Sequence, residues 1–298
     1  DSAPAAAAAP ATPEAAPAAE PAHDAEGGEK AELVGASTCL ACHAAKESFK
    51  GNVHAKAWPT AKGIDFEQSC ETCHGAGSLH AAAAGDRTNP GFATIKLGPK
   101  TASPKESSAQ CLQCHAGGER LHWDGSKHDS RGVSCTGCHG VHAGNRRLLK
   151  TPVEKDTCMK CHMDVRAEFA KSNHHPVPEG KITCTSCHKP HGSEGEKLLK
   201  GNTIVETCFL CHAEKRGPFL FEHRPVTENC LTCHKSHGST HGKLLAAKQP
   251  FLCQQCHSQA RHPGTIYAID PRNPVGNTFQ ELNPRATYRA CVNCHNQI

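Results

Sequence analysis

Large apolar side chains are scarce in this 298-residue chain, which holds 17 Leu, 7 Ile, 11 Val and 9 Phe, 44 residues in all. That is under the roughly 20% below which an ordinary hydrophobic core is hard to build. The other half of the disorder criterion, high net charge, fails, because the formal charge is only +4. Only two Tyr and two Trp are present to stack on bases, and the basic residues are scattered, so a nucleic-acid partner is excluded. No stretch approaches the roughly 18 apolar residues that a membrane-spanning helix needs. The chain starts at Asp1 rather than Met, and the expectation is that an export segment has been removed.

What the chain has in place of large apolar residues is 20 Cys and 23 His. Every cysteine falls in one pattern. The first five copies are Cys39, Cys42 and His43; Cys70, Cys73 and His74; Cys111, Cys114 and His115; Cys135, Cys138 and His139; and Cys158, Cys161 and His162. The second five are Cys184, Cys187 and His188; Cys208, Cys211 and His212; Cys230, Cys233 and His234; Cys253, Cys256 and His257; and Cys291, Cys294 and His295. Ten C-x-x-C-H motifs thus use all 20 cysteines.

C-x-x-C-H is the attachment signal for c-type haem. The two thiols add across the porphyrin vinyl groups, and the adjacent His falls under the iron as proximal ligand. Ten cysteine pairs could instead form zinc sites or disulfides, but neither explains a His after every second cysteine. Ten haems also resolve the composition problem. With about 30 residues per haem, the macrocycles are the core and the polypeptide is a wrapping, so the apoprotein is expected to be largely unfolded.

Thirteen histidines lie outside the motifs: His23, His54, His80, His122, His128, His142, His174, His175, His191, His223, His237, His241 and His262. Beside ten haems, most of them are expected to be sixth ligands. Methionine is no general alternative, because Met159 lies inside one motif and Met163 adjoins it. Iron held by two imidazoles carries electrons but offers no open position to a substrate. The chain therefore reads as an electron carrier and not an enzyme. A multihaem reductase of nitrite or another oxyanion, and a soluble periplasmic electron-storage cytochrome, are the competing readings.

A two-haem unit recurs over approximately 111–157, 158–207 and 208–252. Each copy has a motif, a His 15–17 residues after its first Cys, then C-x-x-C-H-x-x-H, then Leu-Leu. The copies contain His128, His142 and Leu148–Leu149; His175, His191 and Leu198–Leu199; and His223, His237 and Leu244–Leu245. In C-x-x-C-H-x-x-H the chain cannot round the porphyrin edge in three residues. His142, His191 and His237 are therefore expected to ligate a haem other than their neighbour's, tying haems into a row. The fold class expected is a multihaem cytochrome c: mostly irregular, with short α-helices around an elongated row of ten haems and no significant β-sheet. One helix is expected from Asp156 or Thr157 to Ser172, with Cys161, Val165 and Phe169 on one stripe, and another from near Glu206 to Gly217–Pro218. Residues 81–110 and 263–290 read as Gly/Pro-rich loops. Residues 1–26 hold 13 Ala and 5 Pro, so 1–34 is expected to be a disordered tail or linker and 35–298 the haem domain.

The segments HAEKRGPFLFEHRPVTENCLTCHKSHGS (His212 to Ser239) and PFLCQQCH (Pro250 to His257) resemble the periplasmic decahaem cytochromes of the MtrA and DmsE type, a group that includes the iron-oxidation relatives PioA and MtoA. The likeness covers roughly residues 35–298 with the ten motifs in order. It implies an electron-transfer conduit, exported to the periplasm and associated with the outer membrane. Its implied partners are a porin-like β-barrel, an outer-face multihaem cytochrome or extracellular reductase, and periplasmic donors or acceptors. It implies metal or sulfoxide respiration, or inward flow from ferrous iron. By position it implies distal ligands at His54, His80, His128, His142, His175, His191, His223, His237 and His262. His122, His174 and His241 are then spare. The family carries a further His-Gly-Ser segment after the tenth motif, so one sixth ligand is expected from beyond Ile298, or else from His122 or His241.

Overall fold

The computed structural model describes residues 30–97, 102–142, 148–257, 291–293 and 295. The expected tail at 1–26, the loop at 263–290 and His262 lie outside these residues.

The C-x-x-C-H spacing has a local structural cause. In each motif the chain makes about one helical turn, closed in most by a backbone bond from the His N–H to the first Cys carbonyl. These bonds are 2.9 Å at His43 and His139, 3.1 Å at His162, 3.0 Å at His188, His234 and His257, 2.9 Å at His212 and 2.8 Å at His295. His74 and His115 end the helices Phe66–His74 and Pro104–His115. One turn brings positions i, i+3 and i+4 to a single face, which gathers both thiols and the imidazole on one side of the chain.

Sequence-local signals set the helix starts. Asp65 caps Phe66–His74 in a capping box with Gln68. Ser103 does the same for Pro104–His115 with Glu106 and a proline in the first turn, and Thr203 for Ile204–Phe209 with Glu206. His43 closes the helix Gly35–Cys42, and its ψ of 43° lies outside the helical region. His162 and His212 have ψ of 67° and 48° but follow helices that have already ended, at Cys158 and Phe209. This corrects the expected helix 156–172. It is two helices, Glu154–Cys158 and Met163–Phe169, parted at residues 159–162. The expected helix beginning near Glu206 is likewise short, Ile204–Phe209, with a separate 3₁₀ turn at Ala213–Lys215. The loop expected through residue 110 is also corrected, since the 12-residue helix Pro104–His115 starts inside it.

The β-structure among the described residues is one two-residue antiparallel pairing, Asn173 with Ser239 and His174 with Gly238, plus isolated bridges. Buried apolar side chains among the described residues are Ala36, Ala83, Trp123, Leu148, Phe169, Val177 and Leu252. Two of these are alanines. Such a set cannot form a core for this length of chain, so the apolar mass must come from the prosthetic groups.

Buried polar contacts do part of the stitching. The Glu71 carboxylate, inside the second motif, accepts backbone N–H bonds from Val34 (3.0 Å), Gly35 (3.0 Å) and Gly77 (2.9 Å). It pins the first helix, Gly35–Cys42, against the second motif.

Candidate haem sites

Eight motif histidines each face one histidine from outside the motifs. The pairs and ring-centre separations are His43–His80, 6.2 Å; His74–His142, 6.1 Å; His115–His54, 5.9 Å; and His139–His191, 6.1 Å. The others are His162–His128, 6.3 Å; His188–His237, 6.2 Å; His212–His175, 6.3 Å; and His257–His223, 6.1 Å. Two imidazoles on opposite sides of one metal, each bonded at about 2 Å with the ring centre about 1.1 Å further out, would be about 6.2 Å apart. The spread of interplanar angles, from 7° to 73°, is what rotation about a common axis permits. The site residues thus fit a haem between each pair of rings. A four-ligand zinc centre needs clustered donors, and no group of three or more His, Cys, Asp or Glu able to hold a metal ion occurs among the described residues.

The pairs obey a register. His142, His191 and His237 belong to the fourth, sixth and eighth motif segments and face the second, fourth and sixth motif histidines. His54, His128, His175 and His223 face the third, fifth, seventh and ninth. These seven pairs each tie a segment across its neighbour to the next but one, whereas His80, in the second segment, faces the adjacent first motif histidine. His234 faces no second imidazole among the described residues. Neither His122 nor His241 has a ring contact with a motif histidine there. His174 has both ring nitrogens engaged, Nδ1 with the Lys171 carbonyl at 2.8 Å and Nε2 with Glu179 at 2.9 Å.

Backbone carbonyls orient the rings. Nδ1 donates to Lys96 in His74, Phe92 in His80, Pro190 in His128, Ser236 in His175, Lys197 in His188 and Lys243 in His234, at 2.6–3.0 Å. That bond fixes the tautomer and leaves Nε2 for iron. In the second and third repeats the turn before Leu-Leu supplies the acceptor. His139, His188 and His234 form β-bridges to Leu149, Leu199 and Leu245. The turn before each bridge is left-handed: Leu148 at φ 53°, Lys197 and Leu198 at 51° and 58°, Lys243 and Leu244 at 56° and 58°. Left-handed non-glycine residues cost roughly 1–2 kcal/mol each. The same short bonds hold the turn each time, from Gly140, Lys189 and Lys235 N–H to the Leu148, Leu198 and Leu244 carbonyls at 2.6–2.7 Å.

Aromatic residues brace the non-motif rings. Phe49 packs on His142, Trp58 on His54, Phe92 on His80, Trp123 on His191 and Phe169 on His237, at 5.0–6.4 Å. Sequence reasoning missed this set. The available signal was scarcity itself, since both tryptophans of the chain are spent here. The Trp123 indole N–H and His223 Nδ1 are buried without a protein partner. A buried indole donor suits an acceptor that the polypeptide does not supply, such as a haem propionate.

The thiols show how successive motifs lie. Burial, then the neighbouring Cys70, pushes the Cys39 thiol up to about 11. Burial and Cys230 push Cys208 up to about 12, and burial and Cys291 push Cys253 up to about 11. Cys111 is raised by its hydrogen bond with Cys135, and Cys158 by that with Cys184. Second cysteines neighbour second cysteines. After burial, Cys73 is raised by Cys114, Cys138 by Cys161, Cys187 by Cys211 and Cys233 by Cys256. Thioether formation abolishes these titrations, but the adjacency remains. First-to-first and second-to-second contacts alternate from the first motif to the tenth, so sequence order is spatial order.

Comparison with known proteins agrees with this geometry. The family model for the doubled CXXCH motif matches residues 128–167, 174–217 and 223–262, and that for cytochrome c554 and c-prime matches 5–75 and 78–140. The chain is 40% identical over 273 residues to the multiheme cytochrome MtrA of Shewanella baltica (strain OS185), covering 89% of this chain and 78% of that one. It is 28% identical over 133 residues to the cytochrome c-type protein NrfB of Escherichia coli O6:H1, covering 38% of this chain and 69% of that one.

Proposed function

We infer, for a chain that belongs to the MtrA family of multihaem c-type cytochromes, that ten covalent haems, eight of them held between paired histidines, form a conduit for electrons between the periplasm and a partner at the outer membrane. The observation that carries this reading is the set of eight histidine pairs at 5.9–6.3 Å. Each bound haem would supply one iron that gains and loses a single electron.

The chain's own work is anchoring, orientation and order. Paired thiols anchor each group through one helical turn. Nε2 of a motif histidine and Nε2 of its facing histidine would hold the iron of each paired haem between them and leave no open position there for a substrate, which argues against an enzyme. Carbonyl acceptors and aromatic braces stop the rings from turning. The alternating cysteine contacts set each motif beside the next, and the cross-ties prevent one repeat from parting from its neighbours. The repeats 111–157, 158–207 and 208–252 are the units of this wrapping.

No helix among the described residues is long and apolar enough to cross a membrane. A conduit reaching through a bilayer therefore needs a second protein around it, which suits a porin-like β-barrel with an outer-face cytochrome or reductase beyond. Haem attachment to reduced thiols outside the cytoplasm supports a periplasmic location.

Electron paramagnetic resonance and optical spectra of the oxidised protein test the reading. Low-spin haem at the paired sites is expected, with no catalytic current when nitrite is added to the protein on an electrode. A dominant high-spin signal that shifts with nitrite would refute the conduit and favour the reductase.

A further inference from the structure

One facing histidine has a carboxylate as its partner. His237 Nδ1 lies 2.9 Å from the Glu168 carboxylate, whereas the Nδ1 partners of His74, His80, His128, His175, His188 and His234 are backbone carbonyls. The Glu214 carboxylate beside His212 stands at 3.6 Å, beyond hydrogen-bond range.

The fold builds this contact. Glu168 sits in the last turn of Met163–Phe169, and the next residue, Phe169, packs on the His237 ring at 5.5 Å. Gly238 lets the two backbones meet, since a Cβ there would lie 2.0 Å from the Glu168 carbonyl oxygen. One repeat earlier the same frame recurs around His191. A Cβ on Gly192 would lie 2.0 Å from the His122 carbonyl oxygen, and Trp123 packs on His191. His122 therefore occupies the place of Glu168. The frame is repeated, but the carboxylate is found only in the later copy.

We propose that Glu168 is a tuning residue that lowers the reduction potential of the haem between His188 and His237 below those of haems whose histidines donate only to carbonyls. This rests on the reading that these two rings share one iron. A ring N–H given to a carboxylate is more polarised than one given to an amide carbonyl, so Nε2 becomes a stronger donor to iron. The carboxylate's negative charge acts in the same direction, favouring the ferric state. The sixth centre in the row thus releases its electron more readily than haems whose histidines donate only to carbonyls, and fills after them.

The test uses the complete haem-loaded protein, comparing wild type with Glu168→Gln, Glu168→Asp and His237→Ala by potentiometric titration followed optically and by electron paramagnetic resonance. In Glu168→Gln one low-potential component moves upward, its largest g value increases, and the other components stay in place. Glu168→Asp, which keeps the carboxylate, stays near wild type. A Glu168→Gln titration that superimposes on wild type overturns the proposal, as does an equal shift in Glu168→Asp. His237→Ala separates the two layers. One new high-spin haem upholds the ligand assignment even where the tuning fails, whereas full retention of low-spin haem removes the assignment and the tuning with it.

Discussion

Gly238→Ala perturbs the contact between the Met163–Phe169 helix end and His237 directly. The added methyl would sit 2.0 Å from the Glu168 carbonyl oxygen and 2.8 Å from its carbon, with the Asn173 carbonyl oxygen at 3.4 Å. Ordinary contact begins near 3.4 Å, so the Met163–Phe169 helix end must retreat by about 1.4 Å. Neither neighbour is a flexible side-chain tip that could swing aside. The retreat pulls apart the His174–Gly238 pairing and draws Phe169 and Glu168 away from His237. Overpacking of this kind costs about 1–3 kcal/mol. With a urea slope of about 2 kcal/mol per molar, the midpoint for loss of low-spin haem falls by roughly 0.5–1.5 M. Gly242→Ala is the matched control, in the same segment with nothing within 4 Å of the new methyl. The reasoning fails if Gly238→Ala unfolds at the wild-type midpoint, or if Gly242→Ala falls as far.

Four further outcomes are expected. The mature protein carries ten haems per chain by pyridine haemochrome assay, and acid acetone extracts none of them. Ser103→Ala removes the cap of Pro104–His115, which costs about 1 kcal/mol and lowers the denaturation midpoint; Ser103→Asp restores it. Glu179 raises the His174 pKa above its ordinary 6.5, while His174 holds the carboxyl of Glu179 below its ordinary 4.5. The raised histidine stabilises fully below pH 6.5 and ceases to as pH rises through its folded value; the lowered carboxyl stabilises above 4.5 and ceases to as pH falls. Hydrogen exchange at the Asn173–His174 pairing therefore slows between those limits, and Glu179→Gln flattens the profile. Finally, ferric haems at about −1 each turn the +4 polypeptide to about −6, so association with a basic redox partner weakens steeply with salt. A salt-independent rate would count against that charge assignment.

The sequence announced the prosthetic group and the class of fold because both rest on covalent chemistry. A thiol pair and a histidine at fixed spacing need one helical turn and nothing else. The helix lengths were not legible in the same way. From Asp156 to Ser172 the residues favour a helix, but the chain leaves it after Cys158, and His162, at ψ 67°, stands between that helix and Met163–Phe169. The geometry of the motif overrode propensity. The Ser-Pro-Lys-Glu start of Pro104–His115 is a legible cap signal that the Gly/Pro-rich approach before it obscures. The Glu71 anchor and the Glu168 contact were invisible, since each joins segments far apart in sequence, 37 residues for Glu71 with Val34 and 69 for Glu168 with His237.

The Leu-Leu pairs show how a repeat can be seen without its purpose. In the sequence they mark the end of each two-haem unit. In the fold Leu149, Leu199 and Leu245 bridge back to a motif histidine, and the left-handed turn before them carries the Lys197 and Lys243 carbonyls to Nδ1 of His188 and His234. The strain of two left-handed residues is tolerated because three bonds close around it. In the second copy these are Lys189 N–H to Leu198, Lys200 N–H to Cys187 and His188 Nδ1 to Lys197. The side chains at 197 and 243 take no part, which is why composition could not reveal the device. The spacing could have, because nine residues separate His188 from Lys197 and His234 from Lys243 alike. A fixed distance from ligand to turn is the sequence trace of a carbonyl that must reach an imidazole, whatever residue bears it.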